Sequence, residues 1–457
     1  MSRRNPEHGD AGPRAWTGLV VLMLPLFVLS IDVSVLYLAA PHLDVALRPS
    51  PTQLLWILDI YGFVIAGSLL TMGRLADRIG ARRLLMIGSS LFAAASVAAA
   101  FAPSAEWLIA CRAAMGLSGA TLMPSTLALI KAMFTDEHQR RRAVAIWMSV
   151  FSGGVAVGPV IGGAILEAFW WGAVFLLALP PMAAVVLAGP FLLPEQREER
   201  PGRVDLVSVG LSYSAMLALV WALKQVAAGE NVGWAVPVAL LGLISGWAFW
   251  RRQPRLRKPL LDRTLFEVPR LRRAVLLLFS GLLVVNAVFY LYPQLLQLDL
   301  GLSVLVAGLW VMPVAVSSML ATLATPLLVR RFGVERVIAT GLAVAASGLG
   351  AAAVASLIGG LPALVVAVAW TVIGVAPLPT LATDQVIGAA PADRAGSASA
   401  LTETAGELAV GLSVALVGSL VIAAGALDRG LLVTGILGAG LIGGLALREA
   451  RTGGSAA

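Results

Sequence analysis

The sequence contains few charged residues and almost no cysteine or histidine. Only 13% of its 457 residues are charged, whereas 59% are hydrophobic. A soluble domain contains about 25% charged and about 45–50% apolar residues, so this composition excludes a soluble protein. The single cysteine, Cys111, excludes an intramolecular disulfide and a cysteine metal cluster. The three histidines are scattered through polar segments without the spacing of metal ligands, so we expect no metal and no cofactor.

Long apolar runs recur from Val20 to the C-terminus, and each has about the 18–25 residues needed to cross a bilayer. A spanning segment must satisfy its own backbone hydrogen bonds, so these runs are predicted to be helices. The first run is too long for a cleaved signal, and Asp32 interrupts it. We predict an all-α membrane protein with fourteen spans, at residues 17–39, 54–73, 84–102, 107–129, 143–166, 172–193, 206–226, 233–250, 273–297, 304–328, 337–358, 361–387, 397–424 and 430–447.

The basic residues predict the orientation of these spans. If the N-terminus is cytoplasmic, all but four of the 33 lysine and arginine residues fall in cytoplasmic segments. The exceptions are Arg48 and Arg429, in outside loops, and Arg112 and Lys224, inside spans. We therefore predict a multi-pass protein of a bacterial inner membrane with both termini in the cytoplasm. Its net charge of +8 then faces anionic lipid headgroups, so membrane lipids are expected partners and nucleic acid is not.

Five charged residues are predicted to lie within the membrane. They are Asp32 in span 1, Asp59 in span 2 and nearer the interface, Arg112 in span 4, and Glu403 with Glu407 in span 13. An acid at mid-membrane costs roughly 2.5–3.5 kcal/mol on insertion scales, so each is a candidate for function, with a structural ion pair as the alternative. The two glutamates are four residues apart and share one helix face. We assign no role to Lys224, which is expected to lie near an interface.

Several local patterns resemble the 14-span drug:proton antiporters of the major facilitator superfamily, and together they extend over nearly the whole chain. Residues Gly73 to Arg83 resemble the signature loop between spans 2 and 3, and Arg112 to Ala120 resemble the arginine motif of span 4. Asp32-Val33-Ser34 resembles the span 1 motif, and Leu55 to Tyr61 and Met123 to Leu127 resemble segments of multidrug exporters. The span 5 antiporter motif is matched by Gly154, Gly158, Pro159, Gly162 and Gly163.

This resemblance implies the major facilitator fold, with two pseudo-symmetric six-helix bundles and two additional central helices. The expected domains are residues 1–195 for the first bundle, 196–250 for the inserted pair, 251–272 for a basic cytoplasmic loop and 273–457 for the second bundle. An interfacial helix and an ordinary loop are both open for 251–272. Substrate is expected to bind between the bundles near the midplane, and rocking of the bundles to expose it to each side in turn.

The resemblance also implies roles for individual residues. Asp32 is expected to carry the exchanged proton, with Arg112 and Asp59 setting how readily it does so. Substrate-binding candidates are Asp32, Glu403, Glu407, Trp56 and Tyr61. Conformational roles are expected for Gly73, Asp77, Arg78, Gly80 and Arg82, with Asp77 capping a neighbouring helix, and for Gly154, Gly158, Pro159 and Gly162, as a tight seal on the outer side.

The expected activity is proton-driven export of lipophilic, mainly monovalent cationic drugs by a monomer. Quaternary ammonium compounds, dyes and fluoroquinolones are the expected small-molecule substrates, and the proton gradient is the energy source. Some family members carry an acid in span 10, where this sequence reads Ala315-Val316-Ser317-Ser318, so divalent substrates are not expected. A dedicated exporter of an endogenous antibiotic or other secondary metabolite is the alternative. An enzyme or sensor is disfavoured by the lack of paired catalytic residues, and an importer by the span 5 motif.

Overall fold

A computed structural model of the protein describes residues 12–195, 205–256, 269–358, 360–389 and 395–424. The regular structure in these ranges is helical. The helices are α1 (Pro13–Leu47), α2 (Pro51–Ile79), α3 (Ala81–Ala100), α4 (Ala105–Met133), α5 (Glu137–Ala168), α6 (Ala173–Leu176), α7 (Leu179–Leu192), α8 (Leu206–Ala228), α9 (Val232–Arg252), α10 (Pro269–Gln294), α11 (Val304–Phe332), α12 (Val334–Ile358), α13 (Leu361–Val375), α14 (Pro377–Ala389) and α15 (Ala395–Ala424).

Twelve helical segments of the described chain are long and apolar enough to cross a membrane, and they match predicted spans 1 to 12. Spans 6 and 12 differ from the prediction because each is broken, into α6 and α7 and into α13 and α14. Proline at the start of α7 and of α14 explains both breaks, since it cannot continue a preceding helix. Predicted span 13 is helical as α15, with an apolar part at Leu408–Val421. Predicted span 14 and most of the 251–272 loop lie outside the described residues, so the count of fourteen stays a prediction.

The hairpins α2–α3 and α11–α12 have the same local design. Ser50 caps the N-terminus of α2 and Ser303 that of α11, and both helices have 29 residues. Each ends at a glycine with positive φ, 102° at Gly80 and 83° at Gly333, a conformation that glycine adopts without steric cost. Helix α2 is predicted span 2 and α11 is predicted span 10, and these are the second spans of the two expected six-helix bundles.

The most extensive contacts between the described parts of the two halves are made by pairs of helices. Helix α5 packs against α11, α2 against α15, and α1 against α10. The specific contacts lie towards the ends that carry few arginines: Gln297 donates a hydrogen bond to the Leu38 carbonyl at 3.1 Å, and the rings of Tyr37 and Tyr290 lie 5.9 Å apart. We call the contacts that α5, α2 and α1 make with α11, α15 and α10, towards these arginine-poor ends, the outer seal.

Helices α8 and α9 form the inserted hairpin, and α8 contacts both α2 and α15. At its arginine-rich end, the carboxylate of Asp205 caps α8 and pairs with Arg252 of α9 at 3.1 Å. Burial works to raise the pKa of Asp205, but hydrogen bonds from Arg252 and Ser208 outweigh it and lower that pKa to about 2. This pair therefore stays charged near neutral pH and holds the hairpin closed independently of any proton gradient.

Candidate functional site

Asp32 and Arg112 form an ion pair between α1 and α4. A guanidinium nitrogen of Arg112 lies 2.6 Å from the Asp32 carboxylate. Its Nε donates to the Ile57 carbonyl at 3.3 Å, and its guanidinium carbon lies 4.4 Å from the centre of the Tyr61 ring. The Arg112 side chain is 1% exposed and that of Asp32 is 11% exposed. From the sequence, Arg112 is expected to influence proton binding at Asp32, and the structure places the two side chains in contact.

A small recess beside Asp32 explains why its carboxylate is the more exposed partner. The recess lies between α1 and the broken sixth span, and its apolar walls include Val35, Val174 and Phe175. Tyr61, a predicted substrate-binding residue, is instead buried against Arg112. Of these groups, Asp32 is therefore the most accessible.

Asp59 and Lys224 form a second buried ion pair, which was not predicted. Both side chains are completely buried, and the Lys224 ammonium lies 2.7 Å from the Asp59 carboxylate. The same ammonium sits 3.7 Å from the centre of the Trp56 ring. Lys224 is therefore enclosed by protein, and it provides Asp59 with a cationic partner. Trp56 and Asp59 hold Lys224 here, whereas Arg112 pairs with Asp32.

The sequence does contain a signal that Lys224 has a partner, although it does not identify that partner. A lysine inside an otherwise apolar span needs a buried anionic partner, and Asp59 was a candidate. The partner was not identified because nothing in the sequence shows which helix faces α8.

The span 5 glycines let α5 approach α1 closely. A methyl group on Gly154 would lie 1.9 Å from the Ser30 hydroxyl oxygen, and one on Gly158 would lie 2.0 Å from that of Ser34. At Gly162 the neighbour is Val35, 2.7 Å away. A side chain at any of these three positions would require Ser30, Ser34 or Val35 to move, so α5 packs tightly on α1.

The same helix also forms part of the outer seal with α11. A methyl group on Gly308 would lie 2.3 Å from the Pro159 carbonyl oxygen. A methyl group on Gly163 would lie 3.0 Å from the Leu305 Cα, and the Leu305 amide lies 3.5 Å from a Glu167 carboxylate oxygen. The motif residues thus contact both halves of the molecule.

The signature loop is stabilised within the first half. Gly80 makes the turn between α2 and α3. Arg82 pairs with Glu195 at 3.1 Å and donates to the Leu193 carbonyl, at the end of α7. Arg78 is exposed. The side chain of Asp77 lies outside what the structure describes, as do those of Glu403 and Glu407, and Gly73 has open space beside it. In the described residues no cluster of three or more His, Cys, Asp or Glu could hold a metal ion.

Comparisons with characterised proteins agree with this architecture. A family model described as Major Facilitator Superfamily matches residues 22–414. The chain is 43% identical over 407 residues to the multidrug efflux pump LfrA of Mycolicibacterium smegmatis, which covers 89% of this chain and 81% of LfrA. It is 36% identical over 416 residues to the methyl viologen resistance protein SmvA of Salmonella typhimurium, which covers 89% of this chain and 82% of SmvA.

The fold itself is shared with solved structures of distant sequence. A peptide transporter POT in complex with sulfate superposes with a TM-score of 0.68 at 17% identity, covering 95% of both chains. Because the sequence identity is low, this similarity shows only that the two proteins share a fold. The chain is therefore a multi-pass membrane transporter rather than an enzyme, and it belongs to the Major Facilitator Superfamily.

Proposed function

We propose that this protein is a proton-coupled antiporter that exports lipophilic cationic drugs from the bacterial cytoplasm. The observation that carries the proposal is the ion pair between Asp32 and Arg112, buried within two otherwise apolar spans. A charged pair in this position is costly to insert, and it is typical of a proton or substrate pathway.

Asp32 is the proposed proton carrier. When it is ionised, Arg112 neutralises it, and the pair tolerates burial. When it takes a proton from outside, the ion pair is lost, and Arg112 keeps the Ile57 carbonyl and the Tyr61 ring as its remaining partners. Each protonation change therefore alters the contacts between α1 and α4, and α1 is also packed against α5 and the second half. This route links proton binding to movement of the two halves.

The closed outer seal supports alternating access. With both termini in the cytoplasm, the sealed ends of α1, α2, α5, α10, α11 and α15 face outwards. In this arrangement the site receives substrate from the cytoplasm, as an exporter requires. Opening the outer seal would then release drug on the far side, and proton entry at Asp32 would favour that release.

The proposed substrate class is based on the names of two relatives and on the lack of an acid in span 10. LfrA is named as a multidrug efflux pump and SmvA as a methyl viologen resistance protein. We propose monovalent lipophilic cations as the main substrates, because span 10 carries Ala315-Val316-Ser317-Ser318 where an additional acid would assist a second positive charge. Methyl viologen is a dication, so comparing it with ethidium tests this preference.

The proposal is tested with purified protein in liposomes that enclose ethidium or methyl viologen. An imposed proton gradient is expected to drive ethidium against its concentration gradient, and collapsing the proton gradient is expected to stop it. Substrate-induced proton release is expected in detergent. If ethidium moves at the same rate with and without the gradient, the protein is not a proton-coupled pump.

A further inference from the structure

Lys224 and Asp59 lie where three helices meet. Phe63, one turn along α2 from Asp59, packs with Val220, one turn along α8 from Lys224, and with Ala415 of α15. We call these three apolar residues the junction cluster. It joins the first half, the inserted hairpin and the second half.

A second contact between the halves lies on the other side of the ion pair. Leu55, one turn beyond Asp59 on α2, faces Gly418 of α15, where an added methyl group would lie 2.2 Å from a Leu55 methyl carbon. The ion pair is therefore enclosed between two layers of contact with α15. Both layers belong to the outer seal, and both must separate when that seal opens.

Burial of this pair depends on its neutrality. Lys224 lies 2.7 Å from Asp59 and over the Trp56 ring, and neither charged side chain has any exposed surface. A lone charge enclosed here would have lost its hydration without gaining a partner, or would have to become neutral by gaining or losing a proton, and both outcomes cost free energy that the ion pair avoids. The same lone charge would be hydrated in a state with the seal open. Loss of either partner therefore favours the open state.

We propose that Lys224 is a positioning residue of the transport cycle: by neutralising Asp59 between these two layers, its ammonium group allows the outer seal to close. The proposal rests on the alternating-access function proposed above. It assigns the inserted hairpin a role in that cycle, because α8 supplies the charge that the first half needs before it can close on the second.

Simple anchoring of the hairpin does not require this ion pair. The Tyr213 hydroxyl of α8 donates to the Val64 carbonyl at 2.7 Å, and the Thr52 hydroxyl donates to Glu230, beyond α8, at 2.8 Å. These bonds hold α8 along α2 above and below Lys224. The ion pair is therefore not needed to attach α8 to α2, but it makes closure of the seal sensitive to charge.

The test measures closure at a distance from the charges. Glu167 and Leu305 face each other across α5 and α11, in a different part of the outer seal. Cysteines at both positions, in a Cys111→Ala background, are joined by a short bis-methanethiosulfonate cross-linker in purified protein without drug or gradient. Lys224→Met and Asp59→Asn are each expected to slow cross-linking by at least about tenfold, since each leaves a buried unpaired charge. The double variant, which carries no charge, is expected to recover to within about twofold of the parent.

Size-exclusion chromatography of each variant separates folding from closure. Folded single variants that cross-link at the parent rate would overturn the proposal, and so would a folded double variant that stays as slow as the single variants. If the single variants do not fold, the charge-swapped Asp59→Lys, Lys224→Asp variant replaces them. It is expected to close, and a folded but open swapped variant would also overturn the proposal. Ethidium pumping by the parent is scored separately, so failure of the proposed function is distinguishable.

Discussion

Replacing Asp32 by Asn tests the proposed coupling site most directly. The change removes a carboxylate 2.6 Å from Arg112 and leaves a guanidinium that is 1% exposed. Breaking a buried pair in this way costs about 3–5 kcal/mol. The Tyr61 ring, 4.4 Å away, does not offset this loss, because its contact with Arg112 is present in the parent and in the variant alike. Because the Asp32 side chain is 11% exposed, we expect a destabilisation of about 3 kcal/mol, near the lower end of the range.

The assay separates lost coupling from lost stability. For one proton exchanged per drug, a difference of about one pH unit provides about 1.4 kcal/mol, which sustains about a tenfold ethidium gradient. Asp32→Asn is expected to sustain none. The double variant Asp32→Asn, Arg112→Gln removes the buried charge as well, so its stability is expected to recover while pumping stays absent. If the single variant builds the parent's ethidium gradient, Asp32 is not the coupling residue, and Glu407 becomes the next candidate.

Three further predictions use other parts of the molecule. Gly154→Ala should slow efflux, because its methyl group meets the Ser30 hydroxyl and requires Ser30 to shift, whereas the adjacent Gly153→Ala, which enters open space, should keep at least about half of the parent rate. Equal rates for the two variants would show that tight packing of α5 on α1 is not required. Glu407→Gln should weaken binding of cationic drugs more than of neutral ones in direct binding assays, since an amide cannot offset a buried positive charge; an equal loss would indicate a structural role. Tags at either terminus or within residues 251–273 should all report cytoplasm, and a periplasmic signal from any of them would contradict the proposed orientation.

The helical framework was predictable because the bilayer imposes strict lengths on apolar helices. Twelve of the fourteen predicted spans correspond to membrane-length helices of the described chain, with differences of a few residues at the ends. The two broken spans were less predictable. Proline was visible at Pro180 and Pro377, but its effect depends on whether neighbouring helices accommodate a kink or a full break.

The partner of Arg112 was predictable for a simple reason. Asp32 and Arg112 lie at similar depths on spans whose packing the family resemblance implied, so their meeting needed only the arrangement of one bundle. The partner of Lys224 depended on how the inserted hairpin packs against that bundle. Hydropathy does not show which faces of α8 and α9 contact the bundle. Both helices are also little buried, so few apolar contacts fix the position of the hairpin. Charge complementarity was the remaining signal, and it required knowing that α8 lies beside α2.

The two buried ion pairs restrict where a cationic drug can gain an anionic partner. Arg112 occupies Asp32 and Lys224 occupies Asp59, so both deep acids of the first half are neutralised while the outer seal is closed. A drug cation entering from the cytoplasm would have to displace a tethered cation from either acid, at the cost of leaving that cation buried without a partner. Glu403 and Glu407 are the remaining acids predicted within a span and away from an interface. We therefore propose a division of labour, in which span 13 attracts the drug, Asp32 carries the proton, and Asp59 with Lys224 makes closure of the seal depend on charge balance.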